Sequence, residues 1–148
     1  MGLLACCDTA VAVASAQSGF TEVRLGIVPA VINPFSLAKI GPRAARRYFL
    51  TGELFDAERA RAMGLVHEIV ADDQLDKTVN AITNALCQNG PRAVRTAKSL
   101  IREITRSDRE QQPNHSIATI ARLRVSPEGQ EGLLSFIEKR RPNWRAES

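Results

Sequence analysis

Long apolar stretches are missing from this chain of 148 residues. No run approaches the roughly 18 to 20 consecutive apolar residues that a bilayer span needs, so a membrane protein is not expected. Met1 to Ala5 carry no basic segment and Asp8 interrupts the apolar stretch, so a secretory leader is not predicted. Cysteine is scarce and odd in number: Cys6, Cys7 and Cys87. Adjacent Cys6 and Cys7 make a poor disulfide pair, and no Cys or His lies at zinc-ligand spacing. A reducing, cytoplasmic setting fits. One Trp and one Tyr offer little stacking surface for nucleic acid, and no nucleic-acid motif is present. Seven Pro and nine Gly are too few for a collagen-like or linker-like chain.

Apolar residues make up 44% of the sequence and charged residues 24%, a balance that excludes disorder by composition. The length is that of one ordinary domain. The net charge is +4, and Arg far outnumbers Lys. The planar guanidinium fork suits phosphate and carboxylate, so an anionic partner is expected, without a choice among its kinds.

Along the chain, Gly2 to Cys7 is an apolar run with no cap, which reads as the end of a buried helix whose beginning is absent. Cys6 and Cys7 read there as small buried hydrophobes rather than nucleophiles. Thr9 to Ala14 reads as a buried strand, Ser15 to Gly19 as a turn, and Phe20 to Leu25 as an extended segment broken by Gly26 to Pro29. Asn33 caps a helix with Pro34 at its first position, Gly41 closes it, and Pro42 opens a second that runs to Gly52. Asp56 caps Ala57 to Met63, Gly64 stops it, and Leu65 to Val70 is a strand. A helix capped by Asp72 or Asp73 presents Leu75, Val79, Ile82 and Leu86 on one face. Pro91 starts another, with Val94, Ala97, Leu100, Ile101 and Ile104 inward and Arg92, Arg95, Lys98, Arg102 and Arg106 outward. Ser107 to Asn114 reads as a loop, Ile117 to Val125 as a helix, and Ser126-Pro127-Glu128 as the start of the last helix. Many helices follow only one or two strands, and one strand cannot form a sheet alone. The chain is therefore either mostly helical or the back half of a larger α/β domain; the uncapped start favours the second.

Several segments carry a resemblance: Ala5 to Asp8, Ala16 to Pro29 (with Thr21-Glu22-Val23-Arg24-Leu25-Gly26-Ile27-Val28-Pro29), Leu50-Thr51-Gly52, Ala60 to Val66, and Glu131 to Trp144. In that order and nearly end to end, the sequence resembles the crotonase (enoyl-CoA hydratase/isomerase) superfamily, most of all bacterial methylglutaconyl-CoA-type hydratases. The resemblance implies an α/β fold: the C-terminal part of a crotonase-like ββα superhelix, then a helical trimerisation region, mostly helical in this chain. It divides the chain into a core remnant at residues 1–70 and a C-terminal helical region at 71–148.

Hydration of an enoyl thioester needs donors facing the thioester oxygen and a carboxylate to move the proton. Glu22 is the candidate. Its neighbours Phe20, Val23, Leu25 and Ile27 would desolvate it and raise its pKa, and the resemblance places it at one of the family's two catalytic glutamates. A surface pairing with Arg24 is the plainer alternative. The family's other glutamate falls at Gly2, and its oxyanion donors fall before Met1. Ala30 and Val31 depart from a small, Gly-rich stretch and are the acyl-pocket candidates, with core filling as the alternative. Phe136 and Lys139 match positions that contact CoA, often on a neighbouring subunit; otherwise Phe136 packs the last helix and Lys139 is solvated. Arg140 and Arg141 read as solvated. His67 and His115 read as structural or exposed, and no metal is expected. No cofactor is expected beyond a coenzyme A thioester as substrate, and the partners implied are that acyl-CoA and further copies of the chain as a trimer or dimer of trimers. The resemblance implies enoyl-CoA hydration, of a branched or glutaconyl-type substrate, by a truncated chain whose activity on its own is in doubt; the alternative is a non-catalytic crotonase-like fragment or oligomerisation subunit.

Overall fold

Phe20 is completely buried, and the first part of the molecule is organised around it. Its ring meets Phe49 edge-on at 4.6 Å and Phe55 at 6.0 Å, and Phe55 in turn meets Tyr48 at 4.7 Å. Ala5, Ile40, Ala45, Ala60, Leu65 and Val66 complete this core. The computed structural model describes residues 1–145. The chain forms two compact units, residues 1–80 and residues 81 onward.

The first unit begins with helix α1, Gly2–Cys6. Strand β1 (Val11–Val13) and strand β2 (Gln17–Gly19) follow, then a single 3-10 turn at Glu22–Leu25. Helix α2 spans Asn33–Thr51, strand β3 Leu54–Asp56, helix α3 Ala57–Ala62 and strand β4 Glu68–Val70. β1 pairs with β4 in parallel, Ala12 opposite Ile69, and β2 pairs with β3 antiparallel, Ser18 opposite Phe55. His67 ties the first pair together: its Nδ1 accepts from the Ala10 N–H at 3.1 Å, and its own N–H donates to the Ala10 carbonyl at 2.8 Å. It is structural, as the sequence suggested.

The punctuation of α2 follows the expected residues. Gly41 breaks the helix at φ 72 and ψ 166, a conformation open in practice to Gly alone, and Pro42 restarts it. Gly52 ends it at φ 62. The cap sits one residue earlier than expected, at Ile32, with Asn33 already helical. Asp56 caps α3 as expected, accepting from the Arg59 N–H at 2.8 Å.

Helix α4 is Leu75–Cys87, entered through a 3-10 turn at Asp72–Gln74. The second unit contains α5 (Pro91–Arg106), α6 (Gln112–Arg124) and α7 (Pro127–Ile137). Helix α5 packs on both α6 and α7. Small residues make this possible. A Cβ at Gly90 would stand 2.6 Å from Glu128 Oε1, and one at Gly129 would stand 2.1 Å from the Leu123 carbonyl oxygen. The space at Gly90 admits the Glu128 carboxylate, which accepts from the Arg92 N–H at 2.9 Å and the Ala93 N–H at 2.7 Å. An acid from one helix thus satisfies orphan donors at the start of another.

Several expectations are corrected. Cys6 and Cys7 are exposed, because a helix of five residues turns only Ala5 fully inward. Phe20 to Leu25 is not extended: Gly26, at φ 73, lets its own N–H and that of Ile27 fold back onto Val23 and Glu22 carbonyls, closing a turn. Gln17–Gly19 is a strand rather than a turn, and the strand in Leu65–Val70 is confined to its last three residues. Helix α6 starts at Gln112, so Pro113 lies in its first turn, where proline is tolerated. The inward stripe of α5 is narrower than expected: Leu100 and Ile104 are half-buried, while Ala97 and Ile101 on its flank are exposed. On α4, Val79 and Leu86 are likewise exposed.

Candidate functional site

Glu22 opens the 3-10 turn directly after the buried Phe20. Gly52, at the end of α2, lies against this turn; a Cβ there would meet Val23 Cγ2 at 3.2 Å and Arg24 Cγ at 3.3 Å. The turn is therefore seated by the aromatic core on one side and a side-chain-free helix end on the other. Glu22 is half-buried, and its Oε2 is sealed from solvent with no hydrogen-bond partner. The surface pairing with Arg24 is absent, since no ion pair joins the two among the described residues. The expected apolar enclosure is only half present: Phe20 is buried and Val23 half-buried, but Leu25 is 78% exposed and Ile27 is exposed as well. Closure of the turn by Gly26 rotates those two side chains outward.

Gly2 and Ile32 meet. A Cβ at Gly2 would stand 2.6 Å from Ile32 Cγ2. The absence of a side chain at position 2 and the bulk at position 32 are two sides of one contact, which neither residue announces in the sequence. Ala30 and Val31 are both exposed, Val31 at 85%, so core filling is not their role in this unit. They sit on the turn before α2, where the Asn33 N–H donates to the Pro29 carbonyl at 2.9 Å.

Phe136 and Lys139 share the end of α7. Phe136 is 83% exposed, so it does not pack the helix within this unit. Lys139 has φ 54, the left-handed conformation that usually belongs to Gly. The Lys139 N–H donates to the Phe136 carbonyl and the Arg140 N–H to the Ser135 carbonyl at 3.0 Å, the paired bonds of a Schellman cap. Arg140 is exposed, as expected, but it is also ion-paired. Its guanidinium grips both Glu131 oxygens, at 2.7 and 2.9 Å, and reaches Glu138 at 2.6 Å. Glu131 also accepts from the Asn143 N–H at 2.9 Å. These bonds, Arg140 foremost, hold the Glu131 carboxyl down at about 2. The residues after α7 are thereby strapped back, with Trp144 beside Gly132 and its Nε1 donating to the Gln88 carbonyl at 3.4 Å. The nine-residue spacing of Glu131 and Arg140 carried no readable signal for this strap.

The sequence matches the family model for enoyl-CoA hydratase/isomerase over residues 1–147. The chain belongs to this family. It is similar to the crotonyl-CoA hydratase of Syntrophomonas wolfei, 29% identical over 143 residues that cover 96% of this chain and 55% of that protein. It is similar to the mevalonyl-coenzyme A hydratase of Aspergillus fumigatus, 30% identical over 146 residues, 97% of this chain and 54% of that protein. A crystal structure of an enoyl-CoA hydratase from Shewanella pealeana superposes with a TM-score of 0.90 at 42% identity, over 97% of this chain and 54% of the other. The chain thus spans about half the length of the relatives it matches. Over that span it has the crotonase-type α/β fold, mostly helical with few strands. No helix among the described residues is long and apolar enough to cross a membrane.

Proposed function

We propose that this chain contributes the proton-handling carboxylate of an enoyl-CoA hydratase, which adds water across the 2,3 double bond of an acyl-CoA thioester in the cytoplasm. The observation that carries this reading is the Glu22 carboxylate, one oxygen of which is sealed away without a donor. Leaving such a group unpaired costs about 1–3 kcal/mol, a cost that a proton-transfer role would explain. In this reading water loses its proton to Glu22 as its oxygen attacks the β-carbon, the electron pair of the double bond moves toward the thioester, and Glu22 then returns that proton to the α-carbon, which restores the carboxylate. A Cβ at Gly2 would stand 2.6 Å from Ile32 Cγ2, so a side chain at position 2 would require Ile32 to move, and in this reading Glu22 works without a second carboxylate from that position. Ala30 and Val31 face the acyl group and reshape its pocket, and the substrate is a branched or glutaconyl-type acyl-CoA. Phe136 and Lys139 meet CoA: the exposed ring offers an apolar face, and the ammonium offers a point charge to phosphate. The working form is a trimer or dimer of trimers.

Loss of enoyl-thioester absorbance, followed with short, branched and glutaconyl-type substrates, tests the reading. The chain is assayed as it stands and in a form extended to the length of its relatives. Glu22→Gln should lower kcat by about 100-fold or more; full activity in that variant would remove Glu22 from the mechanism. The share of the relatives' length that the chain covers favours a second reading, a non-catalytic crotonase-like fragment or oligomerisation subunit. Turnover by the 148-residue chain itself would exclude it.

A further inference from the structure

The second half of α2 carries a row of guanidinium groups that the proposed hydration does not use. Arg43, Arg46 and Arg47 recur at spacings of three and four, on neighbouring positions of one helix face. Arg59 of α3 joins them around one cavity of about 710 Å3 whose remaining lining includes Ile40, Ala44 and Met63. The volume lies within the range of small-ligand sites. Arg47 is already engaged: Glu53 holds it in an ion pair, and it lies 5.4 Å from the centre of the buried Tyr48 ring. Among the described residues no ion pair engages Arg43, Arg46 or Arg59, although the Arg59 charge helps hold the Glu53 carboxyl below its usual range after the stronger hold of Arg47. An adjoining cavity of about 580 Å3 shares Arg47 and Arg59 but is lined by Glu53, Asp56 and Glu58. The acids are thus gathered on one side, and the 710 Å3 cavity is lined by no carboxylate.

Like charges at these helical spacings oppose the helix they stand on. Three guanidinium groups lining one cavity that no carboxylate lines, beside Ile40, Ala44 and Met63, match an anion that has an apolar body, and the guanidinium fork matches phosphate oxygens in pairs. We propose that this cavity is a binding site for a phosphorylated small molecule of nucleotide size, with the phosphates on Arg43, Arg46 and Arg59 and the apolar part over Ile40, Ala44 and Met63. The phosphates could belong to a free nucleotide or to the nucleotide portion of a CoA thioester; the chemistry is the same.

Titration calorimetry of the 148-residue chain with inorganic pyrophosphate, ADP and a CoA thioester separates these outcomes. ADP should bind saturably with one site per chain and more tightly than pyrophosphate. The Arg43→Gln/Arg46→Gln variant should weaken ADP by about tenfold or more, and Arg59→Gln should weaken it independently, while Arg102→Gln on α5 leaves it unchanged. A CoA thioester that displaces ADP in competition identifies the thioester as the source of the phosphates; a thioester that leaves ADP in place identifies a free nucleotide. Absence of saturable ADP binding overturns the proposal, as does an equal loss in Arg102→Gln, which would reduce the effect to general charge. Hydration activity is not the readout, so failure here leaves the role of Glu22 untouched.

Discussion

In the first unit Phe20 disappears completely beneath Phe49 and Phe55; among the described residues of the second, the buried positions are Gly90, Thr119, Ser126 and Ser135, none of them large and apolar. The polar atoms behave oppositely too. Ser126 Oγ donates to the Leu123 carbonyl and accepts from the Gly129 N–H, and Ser135 Oγ donates to the Gly132 carbonyl. In the first unit Glu22 Oε2 and Ser36 Oγ are buried with no partner. An apolar core supplies enough stabilisation to tolerate an unpaired polar atom, whereas a unit assembled from caps and small-residue contacts has little surplus. Unpaired atoms therefore collect where the molecule is best packed, which is also where chemistry is proposed.

Phe20→Ala tests this contrast most severely. It should destabilise the first unit by about 3–5 kcal/mol, read by chemical denaturation. A loss below about 1 kcal/mol would mean that the aromatic cluster is not the core it looks to be. In the second unit the largest effect should come from a carboxylate. Glu128→Ala removes the acceptor of the Arg92 and Ala93 N–H groups and should cost about 1–2 kcal/mol, with amide exchange accelerated in the first turn of α5. Unchanged protection there would break the comparison.

Acid provides the next test. Glu131 sits at about 2 against an ordinary 4.5. A carboxyl whose pKa is depressed by folding stabilises the folded state fully above 4.5, and that contribution fades as pH falls toward 2. Trp144 is the only tryptophan, so its emission should report release of the strap across that interval. In Glu131→Gln the emission should already be that of the released state at neutral pH; a wild-type profile in the variant would acquit the ion pair. The smallest effect is expected at Lys139. Lysine in a left-handed cap is less stable there than glycine by roughly 1 kcal/mol, so Lys139→Gly should raise thermal stability slightly and weaken affinity for a CoA thioester. Lower stability would show that the lysine side chain supports the cap.

Breaks and caps were the most legible part of the sequence. Gly41-Pro42, Gly52, Asp56 and Ser126-Pro127 each impose a backbone preference that needs no distant partner, and each acts where expected. Short strands were not legible: Gln17–Gly19 and Leu54–Asp56 have three residues each, too few to display an alternation. Burial was misjudged where the apolar character of a residue was taken for an inward orientation, as at Cys6, Leu25 and Ile101. At the candidate site, Glu22 was singled out by its apolar neighbours and by the resemblance together; its buried, unpaired oxygen was not readable from the sequence. The contact between Gly2 and Ile32 joins positions thirty residues apart, and the nine-residue spacing of Glu131 and Arg140 matches no helix or strand period, so nothing local marks either.

The break at Gly41 has a mechanical consequence. In an unbroken α-helix every inserted or deleted residue rotates all that follows by about 100°. Here the Gly-Pro joint absorbs such a change. Ile32 to Ile40 can shift to suit Gly2 while the positions of Arg43, Arg46 and Tyr48 are left alone. One helix by length is two by register, and substitutions around Ile32 need not disturb the arginine row.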